Sequence, residues 1–165
     1  MKTLYILRHA KSSWNDTSLT DYERPLNERG LRTAPFMGKL MEERGFVPDV
    51  IVSSPAIRAR QTAELVREAG GFEPEISFNE LIYEANVGTL VAVVSELNDE
   101  NGSLLLVGHN PGAESLIYYL TGEIAPMPTA ALGVIELDIE TWAEIGGGCG
   151  KLKQVIRPKD QMTVN

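Results

Sequence analysis

Cysteine is nearly missing from this 165-residue chain: Cys149 stands alone. A single thiol excludes an internal disulfide and any site built from several thiolates, and it suits a reducing compartment. Histidine is almost as scarce, with only His9 and His109. No apolar run approaches the length that spans a bilayer. The short run after Met1-Lys2 stops at Arg8 with no small-residue cleavage site, so it does not read as a signal peptide. Positive charge is also in deficit. Lys and Arg number 15 against 23 Asp and Glu, a net charge of -8, which disfavours nucleic acid and anionic membrane as partners but leaves room for a local basic pocket. These absences point to a soluble, cytoplasmic protein, and the length predicts one domain over residues 1–165 with a substantial single core.

What is present is a succession of short apolar runs separated by helical patterns. Leu4-Tyr5-Ile6-Leu7 reads as a buried strand that ends in Arg8-His9. A polar loop from Ser12 to Arg24 follows. Asn27 is a helix cap, with Leu26 placed to staple against Leu31, and Leu31, Ala34, Met37 or Gly38, and Met41 recur at helical spacing. Pro35 inside that pattern predicts a kink or a division. Residues 49–53 form the next strand. Ser54-Pro55 then reads as a cap and first helical position for a helix to about Glu68, which puts Arg58 in its first turn.

A weak strand at 76–78 and a helix at 87–97 precede the run Ser103 to Gly108. That strand empties into His109-Asn110-Pro111-Gly112, where Asn110 reads as a cap and Pro111 as the first position of a helix closed by Gly122. Strands at 131–138 and 152–156 flank the turn Gly146-Gly147-Gly148. Six strands interleaved with helices predict an α/β fold with a mostly parallel sheet covered on both faces. The polar tail from Arg157 to Asn165 reads as a loose terminus.

Both histidines of the chain thus stand at the carboxyl end of a strand, where open α/β sheets bind their ligands. One histidine beside an apolar run is more often structural than reactive. Two in equivalent positions, with Arg8 and Arg58 close to strand ends, suit phosphoryl chemistry. A neutral imidazole can attack phosphorus, and guanidinium groups can fork onto the phosphate oxygens and offset the charge that develops. Arg58 in a first helical turn opposes the helix dipole, an unfavourable placement unless an anion sits between. Arginine and histidine supply the positive field, so no metal and no cofactor is expected, and two histidines give no ligand cluster at zinc-site spacing.

Leu7-Arg8-His9-Ala10 resembles the Arg-His-Gly signature of the histidine phosphatase superfamily, which includes the cofactor-dependent phosphoglycerate mutases. The resemblance continues through Trp14-Asn15, through residues 24–30 (Arg-Pro-Leu-Asn-Glu-Arg-Gly), through residues 53–63 (Ser-Ser-Pro-Ala-Ile-Arg-Ala-Arg-Gln-Thr-Ala), and through Gly108-His109-Asn110-Pro111. Short length and the Arg24-Pro25-Leu26 block make the chain most similar to SixA-type phosphohistidine phosphatases. The resemblance implies a phosphoglycerate mutase-like fold, a three-layer α/β/α sandwich with one antiparallel strand in the sheet. It implies His9 as the phosphorylated nucleophile, with Arg8, Arg58 and His109 completing a phosphate pocket and Asn15 and Ser12 contacting phosphate. Glu84, followed by Gly88, best fits the superfamily's proton donor, with Glu80 as the alternative or neither. Ala10 replaces the usual glycine and Lys11 a common glutamate.

The function expected is a metal-independent phosphatase acting through phospho-His9 on a phosphohistidine of a signalling or phosphotransfer protein, releasing inorganic phosphate. Between Gly71 and Gly102, where longer relatives insert a lid, little chain is available to enclose a small molecule, and this disfavours a mutase. The rivals are a phosphomonoesterase for a small phosphate ester and a non-catalytic phosphate-binding module.

Overall fold

The structure of the chain, a computed structural model, describes residues 1–162. Six strands form one sheet: β1 (Lys2–Arg8), β2 (Val50–Ser53), β3 (Ile76–Phe78), β4 (Ser103–Gly108), β5 (Leu132–Leu137) and β6 (Gly150–Ile156). Their spatial order is β3-β2-β4-β1-β5-β6. The first four of these run parallel, and β5 lies antiparallel to both β1 and β6. The helices are α1 (Glu28–Glu43), α2 (Ile57–Gly70), α3 (Val87–Ser95), α4 (Gly112–Thr121) and a single turn, α5 (Pro158–Gln161). The fold is the three-layer sandwich that the sequence resemblance implies.

Alternation along the strands builds the two outer interfaces. Leu4 and Ile6 of β1 and Leu104 and Leu106 of β4 pack on one face with Leu90, Val94, Leu116 and Ile117 of α3 and α4. Tyr5, Leu7, Leu105 and Val107 point the other way, to Met37, Met41, Ala63 and Val66 of α1 and α2. Because β1 and β4 are central and covered on both sides, every residue of their apolar runs is buried, as parallel strands require.

Local expectations shift in four places. Helix α1 runs unbroken through Pro35, because its buried face holds it on the sheet. Leu31, expected on that face, is exposed; Gly30 is buried in its place, and a Cβ there would stand 2.2 Å from the Lys11 carbonyl. Helix α2 starts two residues late, with Ala56 at its cap; Ser54 Oγ accepts the Ala56 N–H and also meets His109 Nε2. Pro111 is the cap of α4 rather than its first turn, although the Asn110 side chain still accepts the Glu114 N–H. Of the tail, residues 158–161 form a turn tied to Arg44 through Gln161, and residues 163–165 lie outside the described part.

Close approach at Gly30 matters for the site. It lets the loop after β1 double back, with Asn27 N–H donating to Lys11 O, Ser13 N–H to Pro25 O, and Ser12 bridging Leu26. The returning limb carries Asp21 and Arg24 over the carboxyl end of β1.

Candidate active site

The parallel register aligns Arg8 with Gly108, and His9 N–H donates to the Gly108 carbonyl at 3.0 Å. Both histidines therefore leave neighbouring strands at one level, and their ring centroids lie 5.2 Å apart. Arg58 enters from the first turn of α2, Arg24 and Ser12 from the doubled-back loop. With Arg8, Lys11, Trp14, Asp21, Asn110 and Thr129 these side chains line a cavity of about 340 Å³.

His9 is buried, and its Nδ1 lies 2.7 Å from the Ala10 carbonyl. A carbonyl only accepts, so Nδ1 carries the proton and Nε2 of the neutral ring keeps a bare lone pair. Ala10 is itself fixed, its N–H donating to Thr62 Oγ1 of α2. Burial, helped by Arg58, Arg8 and Arg24 and opposed by the Ala10 carbonyl, pulls the His9 pKa down to about 4. His109 is pulled down to about 3, again chiefly by burial, with His9 and Arg58 adding to the shift. Both rings are neutral at physiological pH.

The guanidinium groups are held by fixed acceptors. Arg8 Nη1 donates to Met127 O. Arg58 Nη1 donates to the backbone oxygen of Asp21 at 2.6 Å and Nη2 to its carboxylate at 3.0 Å. Arg24 donates to the other Asp21 oxygen and to Ser12 Oγ, and lies 3.4 Å from the centroid of the exposed Trp14 ring. Tyr83 donates its hydroxyl to Asp21 at 2.6 Å. That bond, with the two arginines, holds the Asp21 pKa at about 2 against the opposing effect of desolvation. Burial and the same bond push Tyr83 up to about 12.

Among the described residues, the buried side-chain nitrogens that lack a hydrogen-bond partner are Arg8 Nε, Arg58 Nε and His109 Nδ1. All three belong to residues lining this one cavity. Unpaired buried polar atoms are costly, and their concentration here suits an anion that completes them.

A second cavity of about 440 Å³ shares the walls Asp21, Arg58, His109 and Asn110. Its floor is apolar, made by Ile6, Ile82, Leu90, Leu106 and Leu116, and Tyr83, Glu84 and Asn86 form part of its side.

Of the residues expected from sequence, Arg8, His9, Ser12, Arg58 and His109 meet at the first cavity. Two do not. Asn15 is exposed and off both cavities, just before a turn in which the Asp16 carboxylate accepts the Ser18 N–H. Glu84 is exposed on the second cavity, in a left-handed backbone conformation with φ 56°. Glu80 lies off both. Sequence reading missed Asp21, Arg24 and Tyr83. Arg24 stood in the Arg-Pro-Leu block and could have been flagged there; Asp21 and Tyr83 carried no local signal.

Comparison with known proteins agrees with this geometry. The profile of the histidine phosphatase superfamily (branch 1) matches residues 4–103. The chain belongs to the histidine phosphatase superfamily. An uncharacterized protein of Mycobacterium tuberculosis is 31% identical over 157 residues, covering 88% of this histidine phosphatase and 96% of the relative. In structure it is similar to a protein assigned as the phosphohistidine phosphatase SixA of Agrobacterium tumefaciens, with a TM-score of 0.82 and 29% identity over 95% of this chain and 98% of that one. The protein histidine phosphatase SixA complexed with tungstate shares the fold, with a TM-score of 0.85 at 22% identity over 97% and 99% of the two chains. The enzyme is a phosphatase. No helix among its described residues is long and apolar enough to cross a membrane.

Proposed function

We propose that this phosphatase removes the phosphoryl group from phosphohistidine in a protein, through a covalent intermediate on His9. The bare Nε2 of His9 attacks phosphorus and the P–N bond of the substrate breaks. Arg8, Arg58, Arg24 and His109 hold the equatorial oxygens and offset their charge. The leaving imidazole takes a proton from solvent. Water then attacks phospho-His9, inorganic phosphate leaves, and His9 returns to its neutral form. Neutrality at pH 7 suits a nucleophile whose Nδ1 proton is fixed by a main-chain carbonyl.

What supports the substrate reading is that, among the described residues, no carboxyl group free to donate a proton lines the phosphate pocket. Its two imidazoles are neutral, Asp21 is held as a carboxylate by two arginines and Tyr83, and Glu84 stands on the neighbouring cavity. An alkoxide leaving group needs such a donor; the nitrogen of phosphohistidine is readily protonated without one. The open mouth, rimmed by Lys11 and the exposed Trp14, suits a bulky protein substrate and an acidic surround.

The apolar second cavity favours one alternative, a small phosphate ester with an apolar or aromatic group and Glu84 near its leaving oxygen. Steady-state rates on a phosphohistidine-bearing protein and on a panel of sugar, nucleotide and aryl phosphates separate the two. Higher kcat/KM on the phosphohistidine protein is expected. A clear preference for any small ester would sink the reading.

A further inference from the structure

Ser54, the residue after β2, is completely buried, and its Oγ lies 2.8 Å from Nε2 of His109. The same oxygen accepts the Ala56 N–H at 3.2 Å. A serine hydroxyl carries one proton, and His109 Nε2 is the acceptor that the structure offers it. Were Nε2 to hold the ring proton instead, two N–H groups would converge on Ser54 Oγ and the buried hydroxyl proton would have nowhere to go. The other ring nitrogen, Nδ1, is buried and without a partner.

We propose that Ser54 is a positioning residue that donates its hydroxyl to His109 Nε2 and locks the neutral ring in the Nδ1–H tautomer, so that Nδ1 becomes a donor for a phosphoryl oxygen. The last clause rests on the phosphatase reading; the tautomer does not. In the opposite tautomer Nδ1 would turn a lone pair toward an anion, and His109 would repel the group that the arginines hold. His9 has its tautomer set by a main-chain carbonyl, which no substitution removes. His109 has its tautomer set by one side chain, which can be changed.

The test uses the full-length, ¹⁵N-labelled protein near pH 7 without ligand. Two histidines make long-range ¹H–¹⁵N spectra simple to assign, with His9→Asn identifying the His109 pattern. The wild-type ring is expected to carry its proton on Nδ1 and none on Nε2, Ser54→Thr to match it, and Ser54→Ala to show a mixture or the reverse. Affinity for inorganic phosphate should fall about ten-fold in Ser54→Ala, the worth of one hydrogen bond to a charged group, and return in Ser54→Thr. In a His109→Gln background the same Ser54→Ala change should cost less than about two-fold. A wild-type spectrum with the proton on Nε2 overturns the proposal, as does an equal loss of phosphate affinity in the His109→Gln background, which would mean a purely structural role. Should Ser54→Ala fail to fold, the wild-type and Ser54→Thr spectra decide alone. An Nδ1–H ring in a protein that hydrolyses nothing would sink the functional reading and leave this assignment standing; Nε2–H in an active phosphatase would do the opposite.

Discussion

The carboxyl ends of β1 and β4 are near copies of each other. Each ends an apolar, fully covered strand in a histidine whose pKa is pulled far down by burial. They differ in what holds the ring. His9 gives its Nδ1 proton to the Ala10 carbonyl, whereas His109 meets the hydroxyl of Ser54 through Nε2. One ring therefore turns a lone pair to the pocket, and the other leaves Nδ1 as its unpartnered nitrogen. Two residues of one type, 5.2 Å apart, are made chemically unlike by the hydrogen bond on their far side. On the proposed mechanism this difference separates a nucleophile from a binding group.

Substitution should expose that asymmetry. His9→Ala is expected to lose about 10³-fold or more in kcat and to trap no phosphoryl group on the protein, since the attacking Nε2 is gone. His109→Ala should lose about 10²-fold yet still form phospho-His9, because it removes one stabilising contact and not the nucleophile. Acid quench of the reaction with labelled phosphohistidine protein measures both. Equal trapping by the two variants would erase the distinction.

Acid sharpens the comparison next. With the His9 pKa lowered from 6.5 to about 4, the ring stays neutral down to that range. Activity governed by His9 should hold between pH 7 and 5, then fall about ten-fold per unit below 4. The unfolded chain binds the extra protons between the two pKa values, so stability falls as pH drops from 6.5 through about 4. A pH–rate profile on a substrate that does not titrate in this window, run beside denaturant melts, checks both signs. Loss of activity already at pH 6.5 in a folded protein would contradict the neutral nucleophile.

Smaller effects belong to residues off the first cavity. Glu84→Gln should change kcat/KM on phosphohistidine protein by less than about three-fold, whereas a general acid is worth about 10²–10⁴-fold. A large loss confined to alkyl phosphates would move Glu84 back to the donor's role and the substrate to an ester. Asn15→Ala, at an exposed turn, should stay within about two-fold, the range of ordinary surface changes.

The β1 and β4 strands were legible from composition alone, because a strand buried on both faces must be apolar throughout and a polar residue at its end is conspicuous. The helix caps were legible at Asn27, whose side chain does accept the Gly30 N–H. The start of α2 was not. Ser54 has the chemistry of a cap and of a histidine partner alike, and the second use depends on β4 lying beside β2. Asn15 and Glu84 were placed by resemblance to a motif, and a loop's path off the sheet is not fixed by strand order.

By itself, then, the sequence determined the alternation of strands and helices, the family, and the delivery of Arg8, His9 and His109 to strand ends. These follow from local periodicity and from the special position of a polar residue after an apolar run. Only the tertiary structure decided which nitrogen of His109 meets Ser54, the sharing of Asp21 between Arg24 and Arg58, and the placing of Glu84 on the neighbouring cavity. The first two depend on partners 37 to 55 residues apart in the chain and the third on a loop's direction in space, and no local pattern encodes either.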